Sequence, residues 1–155
     1  MIRLPVALYE QEFEWSCVPA CTQMALAFLG LHVAEIELCR KLGTVPVVGS
    51  EPESLIKLAD LGVNIEYGVF SLRKLQRWLV DGYPVITFLR TGPLSYWPKE
   101  EPHCVLTVGQ DSMSMHVNDP AFPATVRAIP IAEFEAARRL ARNRAAVITR
   151  GVRNA

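Results

Sequence analysis

The sequence has no excess of charge of either sign, because 16 lysines and arginines balance 16 aspartates and glutamates. Nucleic-acid binding usually depends on a basic patch or stripe. The one arginine-rich run, 138–144, is most simply a solvated helix face, although it is also suited to receive an acidic peptide. No apolar run is long enough to span a bilayer, and the N-terminus lacks the apolar segment of a signal peptide. We therefore expect a cytoplasmic protein without nucleic-acid binding or membrane insertion.

Cysteine is scarce, with four residues at positions 17, 21, 39 and 104. A chain of 155 residues, half of them hydrophobic, can bury a core without disulfides. A zinc site built from Cys17, Cys21, Cys39 and His103 is an alternative, but the spacing matches no standard ligand pattern. We therefore predict neither a metal nor a cofactor.

No repeat, low-complexity tract or linker divides the chain, so we expect a single domain over residues 1–155. Helical periodicity is concentrated in the first half, and runs typical of strands lie mostly in the second. The predicted helices cover residues 17–29, 33–42, 51–61, 71–82 and 131–141, and the predicted strands cover 63–70, 84–89, 103–109, 112–119, 124–129 and 145–149. This order predicts an α+β fold with N-terminal helices packed on a C-terminal antiparallel sheet.

The segment around Cys17 has the features of a nucleophile at a helix N-terminus. Pro19 is tolerated only in the first turn of a helix, so the helix begins close to Ser16, a favourable N-cap residue. Cys17 then lies where free backbone N–H groups and the helix dipole favour the thiolate. The alternative is a buried cysteine that acts as a small hydrophobic residue.

His103 and Asp119 flank a predicted hairpin and are equidistant from Asp111. A loop with an odd number of residues, such as 110–112, would bring both side chains to one face. A two-residue loop would send Asp119 to the other face. The odd loop also gives that face five mainly apolar residues: Val105, Thr107, Met113, Met115 and Val117. A histidine oriented by an aspartate supplies two members of a Cys-His-Asp triad; the alternative is an ordinary Asp-Pro turn beside a surface histidine.

Four separated elements occur in a characteristic order, Q-x5-C-x2-A-C followed by H-x15-DP, at Gln11, Cys17, Ala20, Cys21, His103, Asp119 and Pro120. In these elements the chain resembles the bacteriocin-processing cysteine peptidases, the papain-like domains that precede leader-cleaving ABC exporters. The resemblance extends over nearly the whole chain. It includes GYPVITFL before the histidine loop and IPIAEFEAA in the C-terminal helix.

The resemblance implies a papain-like fold and a cysteine peptidase that acts through a thioester acyl-enzyme. Cys17 would be the nucleophile, His103 the general base and then acid, and Asp119 would orient the imidazole. The side-chain amide of Gln11 and the N–H of Cys17 would form the oxyanion hole. The family's usual substrate is a leader peptide ending in Gly-Gly or Gly-Ala. An acyltransferase with the same triad and a non-catalytic peptide-binding module are the alternatives.

Four further residues are predicted to contact the substrate: Trp15, Val18, Tyr96 and Trp97. Family members usually have glycine after the nucleophile, so Val18 narrows the space beside Cys17. Tyr96 and Trp97 lie in a loop rich in proline, glycine and aromatic residues, either as anchors packed on the core or as the wall of a cleft. Because no exporter follows Ala155, we expect a stand-alone domain that cuts another peptide or protein, or that uses a partner protein to deliver its substrate.

Overall fold

The computed structural model describes residues 1–151. The helices are α1 (Cys17–Phe28), α2 (Glu35–Leu42), a 3₁₀-helix (Pro52–Leu61), α3 (Leu72–Val80) and α4 (Ile131–Leu140). The strands are β1 (Ile2–Arg3), β2 (Val63–Val69), β3 (Val85–Arg90), β4 (Pro102–Gln110), β5 (Ser114–Asn118), β6 (Arg127–Pro130) and β7 (Arg144–Arg150). No helix within this range has both the length and the apolar character needed to cross a membrane. The predicted single domain also includes residues 152–155, which lie outside the described residues.

The strands form one antiparallel sheet in the order β2-β7-β3-β4-β5-β6, with β1 paired to the end of β4. This mixture of helices and antiparallel sheet confirms the predicted α+β class. The central strand β3 lies between β7 and β4, and five of its six residues are buried. Burial on both faces explains why residues 84–89 form a continuous apolar run instead of alternating with polar residues.

Successive side chains of β3 and β4 enter two hydrophobic cores on opposite faces of the sheet. The first core joins α1, α2 and the 3₁₀-helix to Phe88 and Leu106. The second joins α3 and α4 to Val85 and Val105. Since α1 packs along β4 in the first core, its N-terminal residue Cys17 comes close to the start of that strand.

The helix α1 begins at Cys17, as predicted, but the Ser16 side chain makes no capping hydrogen bond. Instead, the Ser16 hydroxyl accepts a hydrogen bond from the Phe13 N–H at 3.0 Å. It also lies 3.2 Å from Oε2 of Glu35. The expected local cap is therefore replaced by contacts with a preceding turn and with another helix.

The other helices differ from their predicted bounds by at most two residues at either end. The helix α2 begins at Glu35, two residues later than predicted, and the helix predicted over 51–61 is a 3₁₀-helix from Pro52. Its leucines recur every three residues, at Leu55, Leu58 and Leu61. That spacing matches the three residues per turn of a 3₁₀-helix, which explains how they share one side.

The hairpin of β4 and β5 does not have the predicted register. Gln110 pairs with Met115, so four residues separate the first paired positions, where an odd number was expected. Met113, predicted on the shared apolar face, lies in this loop and is 77% exposed. Continued without interruption, this register would place Asp119 opposite Leu106, on the face away from His103.

A bulge in β4 restores the shared face. The register shifts by one residue between positions 107 and 109, so that Leu106 pairs with Asn118. Asp119 then follows on the same face as His103, offset by two residues along the strands. The prediction that the side chains of His103 and Asp119 share a face was right. The predicted odd number of loop residues was wrong, and so was the prediction that the two residues lie directly opposite each other.

Candidate active site

A cleft of about 410 Å³ lies between the N-terminus of α1 and the start of β4. Cys17 and His103 both line it, together with Trp15 and Val18. Cys17 is partly exposed, whereas His103 is only 6% exposed. The cleft therefore brings a thiol and a buried imidazole together at a surface that a peptide can reach.

The imidazole of His103 is held by Asp119, with Nε2 of the ring 2.7 Å from Oδ1 of the carboxylate. This bond occupies Nε2, so the nitrogen that remains for Cys17 is Nδ1. Burial lowers the pKa of His103, but the hydrogen bonds and charges of Asp119 and Cys17 raise it to about 10. The arrangement favours an imidazolium between a carboxylate and a sulfur atom.

The Asp119 carboxylate is fully buried and accepts four hydrogen bonds. Oδ1 receives bonds from His103 and from the backbone N–H of Ala121 at 2.9 Å. Oδ2 receives the Tyr96 hydroxyl at 2.6 Å and the Trp97 indole N–H at 3.0 Å. Burial raises the pKa of Asp119, but these hydrogen bonds and the charge of His103 outweigh it and hold the pKa below its usual value. The carboxylate is therefore ionised and fixed in position.

Tyr96 and Trp97 lie behind the imidazole, where their polar atoms contact Asp119. Burial and the neighbouring carboxylate raise the pKa of the Tyr96 hydroxyl far above its usual range, so the hydroxyl is a donor. The Trp97 ring packs against the His103 ring with 4.6 Å between centroids. The rings of Tyr96 and Trp97 both contact Phe122 edge-on. This geometry corresponds to loop anchors packed on the core. Contact of these two residues with a substrate stays a prediction.

Gln11 lies beside the Asp119 segment, because its backbone N–H donates to the Pro120 carbonyl at 2.9 Å. Its side-chain Nε2 donates to the Phe13 carbonyl at 2.8 Å, and its buried Oε1 has no hydrogen-bond partner within residues 1–151. A primary amide carries two N–H donors, so one remains after the bond to Phe13. The oxyanion-hole role of Gln11 stays a prediction.

Backbone donors are available at the start of α1. The first bond of the helix runs from the Ala20 N–H to the Ser16 carbonyl at 3.0 Å. The N–H groups of Cys17 and Val18 precede this bond and lie at the positive end of the helix dipole. A negative oxygen near Cys17 would therefore meet donors that the helix itself does not use.

Glu35 supports this segment, although no motif in the sequence marks it as part of the site. Glu35 is 2% exposed, and its carboxylate accepts a hydrogen bond from the Glu12 N–H, at 3.0 and 3.3 Å to the two oxygens. The Ser16 hydroxyl lies 3.2 Å away. Burial raises the pKa of Glu35, against the opposing effect of these bonds. The acidic residue in the first turn of α2 was visible in the sequence, but no spacing rule connects it to residues 12–16.

The other cysteines occupy different surroundings. Cys21 is fully buried and donates to the Cys104 carbonyl at 3.4 Å, and burial together with the Cys104 thiol raises its pKa well above the usual value. Cys39 lines a separate cavity with Phe13 and Ile36. All four cysteines are free thiols. Within residues 1–151 no three His, Cys, Asp or Glu side chains converge as a metal site would require.

A second histidine–aspartate pair lies in the hairpin, away from the cleft. His116 is buried, and its Nε2 lies 2.7 Å from Oδ2 of Asp111. Arg3 donates to its Nδ1 at 3.0 Å and so joins β1 to β5. His116 therefore has a structural role, while His32 is exposed.

Several solved structures share this fold. A protein from Bacillus anthracis, described as a C39-like peptidase, has 16% identity and a TM-score of 0.81, with 98% of each chain covered. The peptidase domain of Streptococcus ComA, a bi-functional ABC transporter of a quorum-sensing pathway, has 16% identity and a TM-score of 0.74, covering 94% of this chain and 98% of that one. A double-glycine-motif protease from an AMS/PCAT transporter, solved with its leader peptide, has 18% identity and a TM-score of 0.72, covering 96% and 94%.

These solved structures show the fold, and the sequence family shows the class, which is that of the C39 peptidases. The sequence profile of the Peptidase_C39 like family matches residues 3–146, and the chain belongs to this family. The resemblance stated from the sequence and the papain-like α+β fold are thereby confirmed. Membership supports peptidase activity. A comparison with curated protein sequences gives no significant match.

Proposed function

We propose that the protein is a cysteine peptidase that cleaves a peptide bond through a thioester acyl-enzyme. The observation that carries this proposal is the position of His103, held by Asp119 at 2.7 Å on the wall of the cleft that Cys17 also lines. A thiol next to an oriented imidazole is the arrangement required for nucleophilic catalysis by cysteine. Membership of a peptidase family supports the same reaction.

In the proposed reaction, His103 takes the thiol proton and the Cys17 thiolate attacks the scissile carbonyl carbon. The carbonyl oxygen becomes an oxyanion, which the Cys17 N–H and the remaining amide N–H of Gln11 stabilise. The intermediate collapses when His103 gives its proton to the leaving amine, and the carbon–nitrogen bond breaks. His103 then removes a proton from water, which attacks the thioester and releases the acid product and the thiol.

We propose a peptide or protein substrate, with a leader ending in Gly-Gly or Gly-Ala as one candidate. The double-glycine protease solved with its leader peptide supports this class of substrate. Val18 lines the cleft beside Cys17 and favours small residues next to the scissile bond. A partner protein that delivers the substrate, and a cytoplasmic location, stay predictions of the sequence.

Two alternatives use the same cleft. An acyltransferase would pass the acyl group from Cys17 to an amine instead of water, and the triad serves either acceptor. A non-catalytic module would only hold the peptide. The buried side chain of Val18 next to the thiol favours this second alternative, because it restricts access to the sulfur.

The test measures alkylation of each cysteine by iodoacetamide as a function of pH, read by peptide mass spectrometry. We expect Cys17 to react fastest below pH 7 and to react at least tenfold more slowly in His103→Ala, since the thiolate is the reactive form. His32→Ala is the control, because this histidine is exposed. Peptide mixtures are then incubated with the wild type and with Cys17→Ala.

If the wild type cleaves a peptide that Cys17→Ala leaves intact, the result supports the peptidase. Fast labelling of Cys17 with transfer to an added amine, and without hydrolysis, supports the acyltransferase. If Cys17 reacts no faster than Cys39 and no peptide is cut, the protein is a binding module.

A further inference from the structure

A second cavity, of about 280 Å³, adjoins the cleft on the far side of His103. The two cavities share Pro52, Phe88, Pro102 and His103. Three arginines line the second cavity: Arg90, Arg142 and Arg144. A peptide that reaches Cys17 along the cleft can therefore extend into a cationic pocket.

The three arginines differ in how far their charge is neutralised. Arg90 donates two hydrogen bonds to Glu100, at 2.6 and 2.9 Å, so its charge is paired. Within residues 1–151, Arg142 and Arg144 form no salt bridge. One carboxylate, Glu53, also lines the pocket, where it accepts a hydrogen bond from a tyrosine hydroxyl. A positive charge therefore remains for a ligand.

The local structure holds these two arginines at the pocket. Arg142 and Asn143 both have positive φ, 61° and 55°, in the turn that joins α4 to β7. This left-handed turn is uncommon for residues other than glycine, and it sets the direction in which β7 begins. The Arg144 guanidinium then lies over the Tyr67 ring, 5.9 Å from its centroid. Its orientation is therefore restricted before any ligand binds.

The part of the cleft near Cys17 has the opposite charge. Glu14, Glu51 and Glu101 line it, and among residues 1–151 no lysine or arginine does. Glu101 is partly compensated by Lys99 at 3.3 Å. A carboxylate would therefore be repelled on the Cys17 side of His103 and attracted on the arginine side.

We propose that the pocket beside Arg142 and Arg144 is a subsite for a carboxylate of the peptide substrate. The carboxylate belongs either to an aspartate or glutamate side chain or to the C-terminus of the peptide. Guanidinium N–H groups match a carboxylate in geometry and charge, and such bonds are stronger than neutral ones. This inference rests on the proposed function in one respect, namely that the ligand of the adjoining cleft is a peptide.

The test measures binding, so it does not depend on catalysis. Fluorescein-labelled hexapeptide libraries with one fixed Glu at each position in turn are compared with libraries carrying Gln there, using the Cys17→Ala protein and fluorescence anisotropy. C-terminally free and amidated versions distinguish the two sources of the carboxylate. We expect about tenfold tighter binding of one carboxylate-bearing library, from the usual strength of hydrogen bonds to charged groups.

Arg142→Glu combined with Arg144→Glu is expected to remove the preference. Arg139→Glu is the control, because this arginine is exposed and does not line the pocket. If circular dichroism shows that the double variant is not folded, Arg142→Gln is used instead to test whether the carboxylate preference is lost. Equal binding of Glu and Gln libraries, and of free and amidated ones, overturns the subsite. Retention of the preference in the double variant, or no binding at about 1 mM peptide, also overturns it.

The same libraries, incubated with the wild type, separate this inference from the proposed function. A carboxylate preference without any cleavage leaves the subsite standing and removes the peptidase. Cleavage without a carboxylate preference removes the subsite and leaves the peptidase standing.

Discussion

The Asp119 carboxylate is an ionised group in a fully buried position, and such a group persists only when its lone pairs are satisfied. Four donors satisfy it: three belong to Tyr96, Trp97 and His103, which are distant in sequence, and the fourth is the N–H of Ala121 in the adjoining turn. The carboxylate thus organises the back of the site as well as orienting His103. Removing it leaves three polar groups and an imidazole without their partner.

Asp119→Ala is expected to lower the pKa of His103, because the carboxylate that raises it is removed. We expect the alkylation of Cys17 at about pH 6 to slow at least tenfold, as the thiolate loses its imidazolium partner. NMR titration of the His103 ring and mass spectrometry of alkylated peptides measure the two effects.

The control is Asp111→Ala, which removes the carboxylate from the other buried histidine at the same 2.7 Å distance. This variant should leave Cys17 alkylation unchanged. Equal slowing in both variants would indicate a general loss of structure and contradict a specific role for Asp119.

At the scale of elements, the segment 11–16 owes its position to α2 as much as to α1. Glu35, at the start of α2, holds the Glu12 N–H and the Ser16 hydroxyl. Gln11 is fixed at the other side by the Pro120 carbonyl. The segment that carries Gln11 is therefore held between a helix and the end of the hairpin.

Glu35→Ala is expected to reduce kcat for peptide cleavage about tenfold with little change in KM, because Gln11 and the helix start lose their alignment. Glu35→Gln should recover much of the activity, since its carbonyl oxygen still accepts hydrogen bonds. Steady-state kinetics on a cleaved peptide provide the measurement.

Glu37→Ala is the matched control, as Glu37 is exposed in the same first turn of α2 and shares its relation to the helix dipole. If Glu37→Ala lowers kcat as strongly as Glu35→Ala, the effect comes from α2 stability, and a positioning role for Glu35 is wrong.

The bulge in β4 is the other element-scale feature on which the site depends. The bulge lies next to Gly109, where β1 pairs with the end of β4. A Cβ atom at Gly109 would lie 2.3 Å from the Ile2 carbonyl oxygen. Glycine is therefore required for the close approach of the two backbones. The bulge shifts the register by one residue, and this shift puts His103 and Asp119 on the same face.

For the whole molecule, the buried charged pair makes stability depend on pH. The pKa of His103 is raised to about 10, so its contribution to stability is complete below its unfolded value of about 6.5 and is lost as the pH rises towards 10. The pKa of Asp119 is lowered, so its contribution is present above about pH 3.9 and is lost as the pH falls further. Both contributions are complete between these two ranges.

We expect the free energy of unfolding to decrease by a few kcal/mol between about pH 6.5 and 10 in the wild type. His103→Gln should show a much smaller decrease over the same range, whereas His32→Gln should follow the wild type. Urea denaturation at a series of pH values measures these curves. An equally steep decrease in His103→Gln would show that other groups cause it.

Much of the fold follows from local patterns in the sequence. Pro19 determines where α1 begins because proline lacks the N–H that an interior helical position needs. Ser71 belongs to a residue type favoured at N-caps, and it caps α3 with its side chain accepting the Lys74 N–H. The continuous apolar run at 84–89 predicted a strand, which burial on both faces makes the central one. These features depend on backbone sterics and on burial, which neighbouring residues in the chain decide.

Three residues of the candidate site were predictable from the sequence, but their geometry was not. The spacing of Gln11, Cys17, His103 and Asp119 identified the residues through a family pattern, and the structure brings the last three together. The predicted register of the hairpin was wrong in its loop length and in lacking the bulge. The loop is held by the Asp111 carboxylate, which accepts the N–H groups of Met113 and Ser114. The bulge lies where β1 approaches β4 at Gly109, a contact between distant parts of the chain.

Contacts between residues far apart in the chain were decided by the tertiary structure alone. Tyr96 and Trp97 donate to Asp119 because the loop before β4 folds over the hairpin. Glu35 reaches residues 12–16 because α2 packs against α1. Buried charges need partners, and which side chains supply them depends on how helices and strands pack. Local sequence periodicity carries no information about that packing.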